Sequence, residues 1–250
     1  LFLTGKAGTG KTTFLKRLKE VSPKRMIVVA PTGVAAINAG GVTIHSFFQL
    51  PFGPYIPSSP EYRGGKTDFK NQFRKDKINI IRSMDLLVID EVSMVRADLL
   101  DAISDVLRRY KDHSKPFGGV QLLLIGDLQQ LAPVAKDDEW NLLKEHYPST
   151  FFFDSKALLE SNYFCIELTH VYRQSDTNFI NLLNNIRENL RSQNLSHSDF
   201  PESVLPLHIQ SLFLRHFPGY DRSCRQDRNI GILFGRKSVP VPNKLTALQP

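Results

Sequence analysis

Cysteine is close to absent: the 250 residues contain 2, Cys165 and Cys224. Such a pair makes neither a disulfide framework nor a thiolate metal site, and it suits a reducing compartment. Tryptophan is rarer still, at 1 residue against 17 phenylalanines, so large apolar bulk is supplied almost wholly by Phe. No apolar run approaches the roughly 18 residues that a membrane span needs, and no cationic, apolar leader is present. Nothing therefore argues for membrane insertion or secretion. Internal repeats are also missing, which excludes a solenoid or an array.

A hydrophobic fraction of 41% is ordinary for a globular protein, and the length allows one large domain or one domain with part of a second. The formal charge of +7 permits a polyanionic partner without identifying it. Its distribution is uneven. Residues 1–190 carry 24 Lys+Arg against 21 Asp+Glu, whereas residues 191–250 carry 8 against 4. The chain opens on Leu1, directly on a strand-like triplet, and is expected to be a fragment of a longer protein.

The apolar pattern predicts strand, loop and helix in alternation. A strand over 1–4 is followed by a glycine-rich loop and a helix over 11–20 that ends near Ser22-Pro23. RMIVVAP reads as a buried strand, TGVAAINAGG as a short helical turn, and residues 86–90 and 121–127 as two further strands. Between those two, Val95, Leu99, Leu100, Ile103, Val106 and Leu107 recur at helical spacing. A strand over 163–168 and a helix over 178–189 complete the organised part. Beyond, a short helix over 209–217 and a strand in NIGILFG are the elements the pattern offers. The expected fold is α/β, a mostly parallel sheet with helices on both faces. A domain boundary is placed near residue 190, with 191–250 left uncertain.

The strongest chemical signal is Gly5-Lys6-Ala7-Gly8-Thr9-Gly10-Lys11-Thr12, a GxxxxGK[ST] loop between a strand and a helix. Such glycines let successive backbone N–H groups turn toward phosphate oxygens, and the helix start adds a dipole of the same sign. Lys11 can reach the β/γ-phosphates, the Thr12 hydroxyl can ligate Mg²⁺, and Thr13 extends the phosphate-binding turn. Asp90 and Glu91 end an apolar strand, where two carboxylates are costly unless they have a role or a partner. Asp90 is the expected Mg²⁺ carboxylate and Glu91 the base that orients the attacking water. Gln130, after the next strand, is the expected sensor of the terminal phosphate, with Asp127 orienting it and Gln129 as its rival. ATP and Mg²⁺ are the cofactors these residues imply.

Two segments suggest a nucleic-acid partner. Pro31, Thr32 and Gly33 follow the second strand, and Thr43, His45 and Phe47 follow the helical turn. Hydroxyls, backbone N–H groups and an imidazole can position phosphates, and an aromatic ring can stack on a base. Phe47 and Phe48 fit a core position equally well. Residues 61–82 hold 7 Lys+Arg and 3 acidic residues, interleaved with Tyr62, Phe69 and Phe73, which fits either a single-strand surface or a solvated loop.

Together, LFLTGKAGTGKTT, APTGVAAINAGGVTIHSFFQL, LLVIDEVSMVRADLLDAI, PFGGVQLLLIGDLQQLAPV and LTHVYRQSDTNFINLLNNIR closely resemble the ordered motifs of the petite-integration-frequency family of DNA helicases. The resemblance covers about residues 1–190. It implies a RecA-like P-loop NTPase domain, the first of two in a superfamily 1 motor that moves 5′ to 3′ on single-stranded DNA and opens junctions or duplexes. Lys11, Thr12, Asp90, Glu91 and Gln130 match its catalytic set, and Arg173 in VYRQ matches its γ-phosphate arginine. Thr32, Gly33, Thr43 and His45 fall in its DNA-contacting segments, while residues 93–109 with PFGG resemble its signature helix and turn.

The resemblance further implies a monomer, roles in DNA repair, recombination and telomere maintenance, and a location that follows its DNA: cytoplasm in a bacterium, nucleus or mitochondrion in a eukaryote. One departure is Ala132-Pro133 where the family has two prolines. A second is that no glycine-rich segment or final arginine motif of a second RecA-like domain is found, so full activity is expected to need that domain. The alternatives are a DNA-binding ATPase without autonomous unwinding and, from another class, a non-motor nucleotide kinase.

Overall fold

The computed structural model describes residues 1–56 and 73–172 and the backbone of a strand at 230–234. Seven strands form a single sheet: β1 (Phe2–Gly5), β2 (Met26–Ala30), β3 (Val42–Thr43), β4 (Leu86–Ile89), β5 (Gln121–Gly126), β6 (Phe164–Leu168) and β7 (Ile230–Phe234). Their order is β3-β2-β4-β5-β1-β6-β7. Every pairing is parallel except β6 with β7, which is antiparallel and closes one edge. The carboxyl ends of the first six strands therefore share one side of the sheet, where such folds place their ligands.

Alternation along the strands builds two cores. On one face, Phe2, Val29, Leu87, Ile89 and Leu124 join a large cluster with Phe48, Leu100, Ile103 and Phe153. On the other, Leu3, Val28, Leu86, Val88, Leu123 and Ile125 pack with Leu15 and Ala39. All four residues of β4 are buried, so this strand is covered on both sides. Helices on both faces of a mostly parallel sheet, as the pattern predicts, follow from that two-sided burial.

Among the described residues seven α-helices connect the strands: α1 (Lys11–Val21), α2 (Gly33–Asn38), α3 (Ile44–Phe48), α4 (Lys75–Ser83), α5 (Ala97–Tyr110), α6 (Asp137–Leu143) and α7 (Lys156–Leu159). α1 buries Leu15 and stops at Ser22, which is extended (φ −77°, ψ 127°) because Pro23 disfavours a helical residue before it. Its Lys19 donates to the carbonyls of Ala39 and Gly40, both at 2.7 Å, and so ties α1 to the end of α2. α5 starts at Ala97, later than the apolar spacing suggests. Val95 is buried but extended, and belongs to the turn before the helix.

β3 was not legible in the sequence: two residues are too short for a periodic signal, and it exists by pairing with Val29 and Ala30 of β2. The strand expected in NIGILFG is β7, which joins the sheet beside β6. Cys165 is fully buried in β6, and burial together with Glu167 pushes its thiol up to about 12, so it is inert as a nucleophile. Among the described residues no helix is long and apolar enough to cross a membrane. The expected helices over 178–189 and 209–217, Cys224, and the segment containing Tyr62 and Phe69 lie outside the described residues.

Candidate nucleotide and nucleic-acid site

The glycine-rich loop runs from the end of β1 to the start of α1. A Cβ on Gly5 would sit 2.6 Å from the Leu168 carbonyl oxygen and 2.7 Å from Thr9 Oγ1, so only glycine fits between β1 and β6. Gly10 has φ 91° and caps α1 without any side-chain hydrogen bond. The first N–H groups of the helix therefore keep their directions open toward an anion, and its first turn carries no acidic side chain to compete. Thr9 is buried and braces the loop internally, donating from Oγ1 to the Lys6 carbonyl at 2.8 Å.

Lys11 Nζ donates to the carbonyls of Gly5 at 2.6 Å and Lys6 at 3.1 Å, which holds its ammonium at the mouth of the loop. Ala7, Thr12 and Thr13 are exposed, and Gly8 is half-buried. The Gly8 carbonyl accepts from the backbone N–H of Tyr172 at 2.9 Å. The chain leaving β6 is thus tied to the phosphate loop at Tyr172; Arg173 itself lies outside the described residues.

At the end of β4, Asp90 and Glu91 are half-buried. Asp90 Oδ1 accepts from the Glu91 backbone N–H at 3.0 Å. Glu91 adopts the left-handed conformation (φ 51°, ψ 44°), a strained choice for a residue with a Cβ, and this turns the chain sharply off the strand. Burial raises the pKa of Asp90, against the Glu91 N–H and Lys11, which both lower it. Burial also raises that of Glu91, with Asp90 and Asp127 adding and Lys11 opposing. Lys11, Asp90, Glu91 and Asp127 therefore share one electrostatic neighbourhood, as convergence of three strand ends requires.

The sign of these shifts has a thermodynamic consequence. A carboxyl raised in the fold binds more protons than in the unfolded chain, so its ionisation costs stability as pH climbs from the ordinary carboxylate range through the folded value. Glu91→Gln should raise the melting temperature at about pH 8 and lose that advantage near pH 4, where a free Glu is largely protonated. Thermal melts at the two pH values check this; an equal shift at both, or a loss at pH 8, contradicts it.

β5 ends at Gly126, and the buried Asp127 follows. Its carboxylate accepts from the Gln129 backbone N–H and from Gln130 Nε2, each at 3.1 Å. Gln130 is exposed and oriented by Asp127. Among the described residues no group of three or more His, Cys, Asp or Glu forms a metal cluster. Mg²⁺ makes no such demand: it keeps several waters and needs only one or two protein oxygens beside phosphate, which the Thr12 hydroxyl and the Asp90 carboxylate would fit.

The DNA-facing candidates follow β2 and β3 on the same side. Thr32 Oγ1 accepts from Ala35 N at 3.2 Å and Thr43 Oγ1 from Ser46 N at 3.3 Å, so both cap short helices. Each hydroxyl keeps its proton to donate outward. Pro31 is half-buried and Gly33 exposed. His45 is half-buried, and burial followed by the charge of Arg96 lowers its pKa, which favours the neutral ring.

Phe47, a stacking candidate by its place in the sequence, turns inward instead. It is 7% exposed, packs edge-on against Phe48 at 4.8 Å, and is capped by Lys77 Nζ 3.5 Å from its ring centroid. Its ring belongs to the core and is not available for stacking on a base. Phe73 is buried as well.

Phe52 and Arg96 join His45 here, and neither is marked by its place in the sequence. Phe52 is 90% exposed and its ring stacks on His45, with centroids 5.1 Å apart and planes 20° from parallel. Arg96 donates to the Gly53 carbonyl at 3.0 Å and bridges Asp98 at 2.8 Å and Glu139 at 2.7 Å. The available signal was an aromatic set between Pro51 and Gly53, in a proline- and glycine-rich stretch that favours a turn over a core element.

The family model described as PIF1-like helicase matches residues 1–195. The human ATP-dependent DNA helicase PIF1 is 39% identical over 188 residues, 75% of this chain and 27% of that protein. The Saccharomyces cerevisiae ATP-dependent DNA helicase RRM3 is 38% identical over 192 residues, 75% of this chain and 25% of that protein. Among solved structures, Pif1 helicase from Bacteroides in complex with ADP-AlF3 and ssDNA is 45% identical, with a TM-score of 0.69, covering 79% of this chain and 47% of that one. This chain thus spans about a quarter of the length of those two relatives. With the RecA-like P-loop architecture in place and a family match over most of its length, the chain belongs to the PIF1-like helicase family.

Proposed function

We propose that this chain is the nucleotide-hydrolysing first motor domain of an ATP-dependent helicase that moves 5′ to 3′ on single-stranded DNA. The observation that carries the reading is the meeting of Lys11, Asp90, Glu91 and Asp127 in one electrostatic neighbourhood at the carboxyl edge of the sheet. The first 190 residues form this domain, and a second RecA-like domain supplies the facing half of the ATP cleft.

ATP is the substrate. Its phosphates lie in the loop formed by Gly5, Ala7, Gly8, Thr9 and Gly10, against the first turn of α1 with Thr12 and Thr13. Lys11 shifts from its contacts with the Gly5 and Lys6 carbonyls to the terminal phosphates, where its charge is stabilising as negative charge develops. Thr12 and Asp90 would hold Mg²⁺, which would supply further neutralisation of phosphate charge. Glu91 takes the proton of the attacking water; its raised pKa makes it the stronger base. Gln130, oriented by Asp127, reports the terminal phosphate, and Arg173 takes the γ-phosphate role that its VYRQ motif implies.

Pro31, Thr32, Gly33, Thr43 and His45 bind the DNA strand beside this cleft. Alternating grip by two domains converts hydrolysis into steps, so unwinding is expected to depend on the second domain more than nucleotide binding does. The deciding measurement is ATP hydrolysis by this chain with and without oligo(dT). Stimulation is expected; the same rate in both conditions would sink the helicase reading.

A further inference from the structure

The geometry points to Phe52, backed by His45 and held in place by Arg96, as a base-stacking platform for the single strand. This rests on the proposed DNA-motor function and adds to it a residue that the motif segments do not contain. Exposure of one large apolar side chain is by itself unremarkable, since isolated surface hydrophobics are common. What sets Phe52 apart is the apparatus that holds it out.

The chain leaves α3 through Gln49, which takes the left-handed conformation (φ 50°, ψ 40°), and is then anchored by the buried Leu50. Pro51, Phe52 and Gly53 are exposed beyond that anchor. The far side is fastened to the start of α5. Arg96 donates to the Gly53 carbonyl at 3.0 Å, Asp98 accepts from the Tyr55 backbone N–H at 2.8 Å, and the Tyr55 hydroxyl donates to Asp105. Arg96 is itself immobilised, because its side chain is 14% exposed and its other donors are engaged by Asp98 and Glu139. A loop pinned on both flanks keeps its tip in one place, and the side chain at that tip is Phe52.

One face of the Phe52 ring is occupied. His45 lies under it with centroids 5.1 Å apart and an interplanar angle of 20°. With 90% of the residue in solvent, the opposite face is open to a flat partner. His45 directly follows the helix start capped by Thr43, on the edge that also carries Thr32. A strand whose phosphates meet those hydroxyls brings its bases within the reach of this loop. Stacking suits that role because every base has a π-face, so grip does not depend on sequence. Arg96 acts here as a positioning residue.

The test uses this chain and fluorescein-labelled oligo(dT), with affinity read by anisotropy across a salt series. Phe52→Leu keeps apolar bulk and removes the π-face; binding should weaken about five- to tenfold, at the low end of what one stacked base contributes. The slope of affinity against salt should stay as in the unaltered chain, since no phosphate contact is lost. Phe52→Trp should bind at least as tightly as the unaltered chain, and its added emission should be quenched by oligo(dT). Arg96→Lys should lose a similar factor, and combining it with Phe52→Leu should cost nothing more. Unaltered affinity in Phe52→Leu overturns the platform while leaving the motor reading standing. Multiplying losses in the double variant overturn the positioning role of Arg96. Failure of the unaltered chain to bind oligo(dT) at all overturns both readings.

Discussion

Lys11→Ala is expected to lower ATP turnover at least about a hundredfold, the scale on which loss of one preorganised donor to a developing charge is felt. The ammonium is already poised, 2.6 Å from the Gly5 carbonyl and 3.1 Å from that of Lys6. Those two carbonyls belong to the loop proposed to cradle the phosphates, so on that reading a short swing would take Lys11 from protein oxygens to phosphate oxygens. The charge acts on the acidic pair too. It lowers the pKa of both Asp90 and Glu91 against the burial that raises them. Without it, both carboxyls are pushed further toward the protonated form, and a protonated Glu91 cannot accept a proton from water.

The variant should nevertheless fold. α1 is fixed by the buried Leu15 and by Lys19 on the end of α2, and neither contact involves Lys11. Steady-state phosphate release, measured beside a thermal melt, separates the two effects. Turnover within threefold of the unaltered chain, with an unchanged melt, would remove Lys11 from the chemistry.

How much of this was readable in advance depended on what kind of force sets each feature. β1, β2, β4 and β5 were legible because burial on both faces leaves a short continuous apolar run bounded by turn residues. The phosphate loop was legible because it is a local device: spacing along the chain fixes which backbone groups converge. Asp90 and Glu91 were legible for a related reason, two charges at the end of an apolar strand. β3 was not, since its two residues form a strand only by pairing with β2.

Phe47 and Phe52 show the limit most directly. Both are phenylalanines close to His45, and no periodicity separates them. Phe47 turns inward on a helix of five residues, beneath Lys77, while Phe52 is held outward by an arginine that lies far along the sequence. The distinction is made by tertiary contacts of Gly53 and Tyr55 with the start of α5, and those contacts have no signature in the local sequence. Three buried carboxylates, Asp98, Asp101 and Asp154, were equally hidden. A helix pattern marks Asp98 and Asp101 only as polar positions, yet both face the interior.

Asp101→Ala is expected to destabilise the chain as much as truncating one of its large core side chains. Asp101 is 5% exposed, and its carboxylate accepts four hydrogen bonds. Oδ1 receives the Ser155 hydroxyl at 2.6 Å and the Ala157 N–H at 2.9 Å. Oδ2 receives the Tyr147 hydroxyl at 2.7 Å and the Lys156 N–H at 3.1 Å. One side chain on α5 thus holds the start of α7 and the segment after α6. Tyr147 is held well above the ordinary phenol range by burial first and Asp101 second.

Truncation to alanine strands four donors, three of them in buried bonds and the Lys156 N–H in a part-buried one; each unmet buried group costs about 1–3 kcal/mol and the sum is less than additive. A loss of about 4 kcal/mol is expected, from four hydrogen bonds to one charged acceptor. Asp101→Asn should lose about half as much. Its amide nitrogen, whichever oxygen it replaces, faces one backbone N–H that cannot reverse its role, while the other oxygen keeps its two donors. Tyr147→Phe, which leaves a satisfied carboxylate with one donor fewer, should lose only about 1 kcal/mol. Urea unfolding of the three variants gives the order directly. An alanine variant no weaker than Tyr147→Phe would show that the four bonds do not hold α7 to α5.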